Sequence, residues 1–116
     1  MADPDEGGAA DLQQDELEAV VDAVRATVDR DVEALTAIGA FELASDPFVW
    51  VHEPLNAPPG DPRDWPISFI RLEDGWYAVD VEMWTDTGRS DLTLQLELRR
   101  AADGTLRTSF EDLHVL

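Results

Sequence analysis

The sequence predicts an α+β domain: an N-terminal helix pair packed on a curled, four-stranded antiparallel sheet. Three observations carry this. Apolar residues recur at helical spacing from Leu17 to Val28, four apolar runs of strand composition fill the second half, and short Asp/Gly-containing segments separate those runs. At 116 residues there is room for one domain and one core.

Residues 1–11 hold Pro, Gly and acids without an apolar period, and read as a disordered acidic tail. Residues 12–116 read as the single folded domain. In the first helix, Leu17, Val20, Val21, Val24 and Val28 share one face, with Asp15, Glu18, Asp22 and Asp29 on the other. Its valines cost helix propensity, so packing has to hold it. The period stutters around Asp29-Arg30-Asp31. Asp31 is placed to cap a second, short helix through Ile38, with Gly39 as its stop.

Residues 41–66 carry mixed signals. Asp46-Pro47 suits a helix start, whereas Phe48-Val49-Trp50-Val51 has strand composition. One or two helical turns ending before Pro54 are expected, followed by an extended loop set by Pro54, Pro58, Pro59, Pro62 and Pro66.

The strands are expected at Ile67–Glu73, Trp76–Thr85, Leu92–Arg100 and Thr105–Leu116. Asp74-Gly75 between two apolar runs is a strong hairpin signal. A two-residue turn there pairs Leu72 with Tyr77 and Ile70 with Val79. Pairing Thr85 with Leu92 puts Met83 opposite Leu94, Val81 opposite Leu96 and Val79 opposite Leu98. A turn ending at Gly104 puts Leu98 opposite Leu106, Leu94 opposite Phe110 and Leu92 opposite Asp112. Apolar meets apolar at most of these positions, so one face is core and the amphipathic helix covers it. The phase of Leu113 and Val115 against Leu106 and Phe110 calls for a bulge near Glu111-Asp112.

These registers put Ile67, Phe69, Trp76 and Trp84 on the opposite face, among Asp80, Glu82, Gln95, Glu97 and Arg107. Aromatic residues rimmed by polar ones are typical of interface cores. Either that face is a binding surface, or residues 41–66 fold over it as a second small core. Asp80 and Glu82, two apart with Glu97 nearby, admit acid/base chemistry or a hard cation, against a plain reading as solvated acids. The same pairing brings the loop with Arg89, Ser90 and Asp91 to Asp112 and His114. Arg89 would there fork onto Asp91 or Asp112, and His114 would be the proton carrier of any catalysis. The alternative is an arginine that braces a loop.

Composition narrows the role further. With 26 acids against eight arginines and no lysine, the net charge of −18 repels nucleic acid and anionic lipid. Absent Lys excludes a P-loop and Schiff-base chemistry; absent Cys excludes disulfides and thiolate metal sites. No nucleophile elbow appears, and nothing calls for a cofactor or metal. No apolar run approaches a membrane span, so the cytoplasm is the expected compartment.

The stretch VDVEMWTDTGRSDLTLQLEL over residues 79–98, with the ending EDLHVL, resembles a family of small, uncharacterised actinobacterial proteins. The matching positions are Trp84, Thr85, Gly88, Arg89, Ser90, Asp91, Leu92, Thr93, Leu94, Asp112, Leu113, His114, Val115 and Leu116. The resemblance implies helices followed by strands in a cystatin/NTF2-like outline, with one sheet face covered and the other a pocket or dimer surface. It implies no activity.

The expected role is a non-enzymatic binding or self-association module, with a protein partner or second copy meeting Phe69, Trp76, Asp80, Glu82 and Trp84. Two other readings stand beside it. One is an NTF2-like small-molecule pocket or modest enzyme, and the other an acidic mimic or neutraliser of a basic partner.

Overall fold

Strand alternation and turn chemistry in the second half produce the sheet, and the amphipathic helix then covers one side of it. The computed structural model describes residues 6–29, 31, 33, 54–73 and 75–115. Among them lie α1 (Gln14–Val28) and six strands: β1 (Glu6–Gly8), β2 (Leu55–Asn56), β3 (Ile67–Glu73), β4 (Trp76–Thr85), β5 (Gly88–Arg100) and β6 (Leu106–Val115). The sheet is antiparallel in the order β1-β3-β4-β5-β6, and β2 pairs with the end of β4 beyond β3. The expected strand count of four is thus corrected to six. The expected second helix through Ile38 and the helical turns before Pro54 fall largely or wholly outside the described residues.

Residues 6–11, expected to belong to a disordered tail, are built into the fold. Glu6–Gly8 pair with Ser68–Ile70, a short 3-10 turn follows at Ala9–Asp11, and Ala9 and Leu12 are buried. Gly7 is required by close approach, since a Cβ there would stand 2.6 Å from the Phe69 ring.

Helix α1 forms because its apolar stripe has a partner. Leu17, Val20, Val21 and Val24 pack on the sheet with Val79, Val81, Met83, Leu94, Leu96, Leu98 and Leu113. Burying each valine stabilises the fold by about 1.5–3 kcal/mol, enough to offset its weak helix propensity. At the helix start, Glu16 is 2% exposed and accepts the Gln13 backbone N–H at 2.8 Å. Its other carboxylate oxygen lies 3.6 Å from the Arg100 guanidinium, which also donates to Asp15 at 2.9 Å. Arg100 thereby ties the end of β5 to the first turn of α1.

The registers depart from expectation in two distinct ways. Between β4 and β5 the shift is two residues: Tyr77 faces Leu98, Val79 faces Leu96 and Val81 faces Leu94. An even shift keeps every side chain on its face, so Trp84 stays opposite to the leucines. It also sets Asp80 against Gln95 instead of Glu97, which removes a cross-strand clash of like charges.

Between β3 and β4 the shift is one residue, so the faces exchange. Glu73 pairs with Trp76, Leu72 is passed over at a bulge, and Arg71 pairs with Tyr77. Ile67 and Phe69 therefore turn into the core, while Ile70 and Leu72 are 51% and 47% exposed. The bulge selects the set that brings the larger aromatic payload inside. Between β5 and β6 the shift is again two residues, so Leu98 faces Thr108 instead of Leu106 and Leu96 faces Phe110; the expected bulge then passes over Glu111 and sets Leu94 opposite Leu113.

Candidate functional site

The sheet face away from α1 is built by alternation along β4. Tyr77, Val79, Val81 and Met83 are buried beneath the helix, so Trp76, Ala78, Asp80, Glu82 and Trp84 face the other way. Register adds Ser68 and Ile70 from β3, and Thr93, Gln95, Glu97 and Arg99 from β5. Phe69 does not belong here. It is buried on the helix side, edge-on to Tyr77, and leaves the candidate surface.

At one end of this face the Arg99 guanidinium lies 4.0 Å over the Trp76 ring. Arg99 also approaches Glu97, at 3.8 Å. Arg107 stands opposite Arg99. Glu111, displaced by the β6 bulge, has its carboxyl pushed above the usual range by partial burial and by Glu97, with Arg99 opposing. At the other end, Glu82 is held by Arg89 at 2.6 Å. The indole N–H groups of Trp76 and Trp84 are shielded from water and donate to no acceptor. Buried donors are normally paired, so both indoles are unusual.

The residues of the second expected cluster take other register positions than expected. The predicted loop is instead the start of β5, joined to β4 by a turn at Asp86-Thr87. Glu82 faces Thr93 and Trp84 faces Arg89, so Met83 alone spans Ser90, Asp91 and Leu92. Ser90 fills the gap in the ladder: its hydroxyl donates to the Met83 carbonyl at 2.6 Å and accepts the Leu92 N–H at 3.1 Å. Arg89 reaches Glu82 rather than Asp91, and Asp91 is exposed. Leu92 pairs with Val115, whereas Asp112 and His114 sit at the register positions of Gln95 and Thr93. The side chains of Asp112 and His114 fall outside the description.

Sequence reading missed Ile70 and Ala78 as parts of this face, and Ser90 as a ladder patch. The signal for the first was present. Both parities of ISFIRL are apolar, so alternation alone cannot choose between them. Elsewhere, an open groove of about 580 Å³ lies between α1 and the Asp61–Arg63 turn, floored by Leu17 and Val21 and edged by Glu18, Asp22 and Arg63. Among the described residues, no three or more His, Cys, Asp or Glu are grouped to hold a metal ion, and no helix is long and apolar enough to cross a membrane.

Among the described residues, a helix across one face of a bulged antiparallel sheet, with acids and indoles on the reverse, defines a small, mostly-sheet α+β domain. The chain belongs to the family described as a domain of unknown function (DUF7668), which matches residues 7–116. Comparison with curated proteins and with solved structures returns no match.

Proposed function

We propose that this protein is a non-enzymatic binding module that acts through the sheet face opposite α1. The observation that carries this reading is the state of that face. Ile70, placed on this face by its pairing with Ala78, and Leu72 near it in the chain are about half exposed to solvent. A partner that covers this apolar pair would remove its surface from water. The outline of a helix across a curled sheet supports the cystatin/NTF2-like plan, in which the free face is the working surface. The net charge of −18 favours a protein partner over nucleic acid or an anionic membrane, and fits a cytoplasmic setting.

The test maps accessibility in solution. A soluble nitroxide should broaden the amide signals of Ile70, Ala78 and Glu97 while sparing those of Val79 and Leu96. The Ile70→Ser/Leu72→Ser double variant should keep the melting temperature of the parent chain. Equal protection of both sets, or strong destabilisation by the serines, means the face is already filled by the chain itself and ends the proposal.

A further inference from the structure

On the face away from α1 the half-buried Ala78 is smaller than the residues around it, and its short side chain makes a dip among them. By register its neighbours across the sheet are Ile70 on β3 and Glu97 on β5, and along β4 they are Trp76 and Asp80. Strands are about 4.8 Å apart, so Ile70 and Glu97 flank the alanine across a gap of about 10 Å. One wall is apolar, since Ile70 is 51% exposed, and the opposite wall is anionic. Asp80 has no ion pair among the described residues. Glu97 has only the 3.8 Å approach of an Arg99 already engaged over Trp76.

We propose that this dip receives a lysine or arginine side chain from a protein partner. The claim rests on the reading of this face as a binding surface. The aliphatic stem of such a side chain would lie on Ala78 and Ile70, and its cationic head would reach Asp80 and Glu97. A single apolar side chain would leave both carboxylates without a counter-charge, and an acidic one would be repelled. Charge complementarity therefore selects a basic polypeptide over a second copy, because two chains of −18 repel each other. The raised carboxyl of Glu111 beside Glu97 agrees with an excess of negative charge at this spot.

The experiment titrates a short capped peptide of alternating Leu and Lys into the full chain, with a Leu/Glu peptide as counterpart. Binding should weaken with salt. It should fall about tenfold or more in Asp80→Asn/Glu97→Gln and in Ala78→Leu, which fills the dip without changing charge. The Glu18→Gln/Asp22→Asn variant removes the same charge from the outer side of α1 and should bind like the parent. Equal loss in both charge variants would mean diffuse attraction and would overturn the site. Binding of the Leu/Glu peptide as well would also overturn it while sparing the broader reading. Dimers that dissociate in Ala78→Leu would name a second copy as the occupant. If no peptide binds and the nitroxide leaves the face protected, the broader reading fails too.

Discussion

Phe69 meets Tyr77 edge to face, with ring centroids 5.4 Å apart and an interplanar angle of 86°. The bulge at Leu72 makes this contact, because without it Phe69 would point away from the helix. The ring is closed in by Gly7 above it. Truncation to alanine should therefore open a cavity with little room to collapse. Phe69→Ala is expected to cost about 3–5 kcal/mol, read from the urea midpoint at unchanged slope. Ile70→Ser next to it should shift stability by less than about 0.5 kcal/mol. The expected ΔΔG values would swap if the strand paired without the bulge.

Ser90 offers a second test. Its hydroxyl occupies the break in the β4–β5 ladder, bonded to both Met83 and Leu92. Ser90→Ala leaves a carbonyl and an N–H without that partner and should cost about 1–3 kcal/mol. Ser90→Thr keeps the hydroxyl and should recover most of the loss. A catalytic or purely solvated serine would show no such rescue in equilibrium unfolding.

Gly75 turns the β3–β4 hairpin at φ 74°, and a Cβ there would stand 2.9 Å from the Arg100 carbonyl oxygen. Its own carbonyl accepts the Arg100 N–H at 2.6 Å, so the turn is pinned to β5. Gly75→Ala meets both backbone strain and a backbone collision, and is expected to lower stability by more than about 1–2 kcal/mol. Thermal melts read this directly, and a shift under one degree would contradict the turn geometry.

Two acids should respond to pH with opposite sign. Asp103 is held below the usual range by the Thr105 N–H at 2.9 Å and by the Thr105 side chain. Its contribution to stability is complete above the ordinary Asp value and vanishes as pH falls through the lowered one. Glu111 runs the other way. Its carboxyl is raised, so the stability it contributes is complete below the ordinary Glu value and is lost as pH rises through the raised one. At pH 7, Glu111→Gln should raise the melting temperature and Asp103→Asn should lower it. Both differences should shrink as the pH is lowered to 3.

Much of this architecture was readable before any coordinates. The limits of β3 and β4, the turn at Gly75 and the bulge at Glu111 follow from alternation and turn chemistry. The helix followed from a single apolar stripe ending at Val28. What escaped was register. A leucine at every second position of β5 pairs almost as well two residues along, so periodicity could not fix the offset. Leu72 gives no local sign of a bulge, and with it went the assignment of Phe69. β1 was hidden because Glu6-Gly7-Gly8 has no strand propensity of its own. Of the candidate surface, Trp76, Asp80, Glu82 and Trp84 keep a common face, whereas the pairing expected of Leu92 with Asp112 moved with the register.

The three-residue strand β1 has a disproportionate role. Glu6–Gly8 finds its partner some sixty residues downstream, so it can join only after the β3–β4 hairpin exists. Its amides should be among the first to exchange with deuterium, and its departure would uncover the Phe69 ring. A bulky fusion placed directly before Glu6 would thus act as a wedge against the aromatic interior, and purification tags belong at the other terminus.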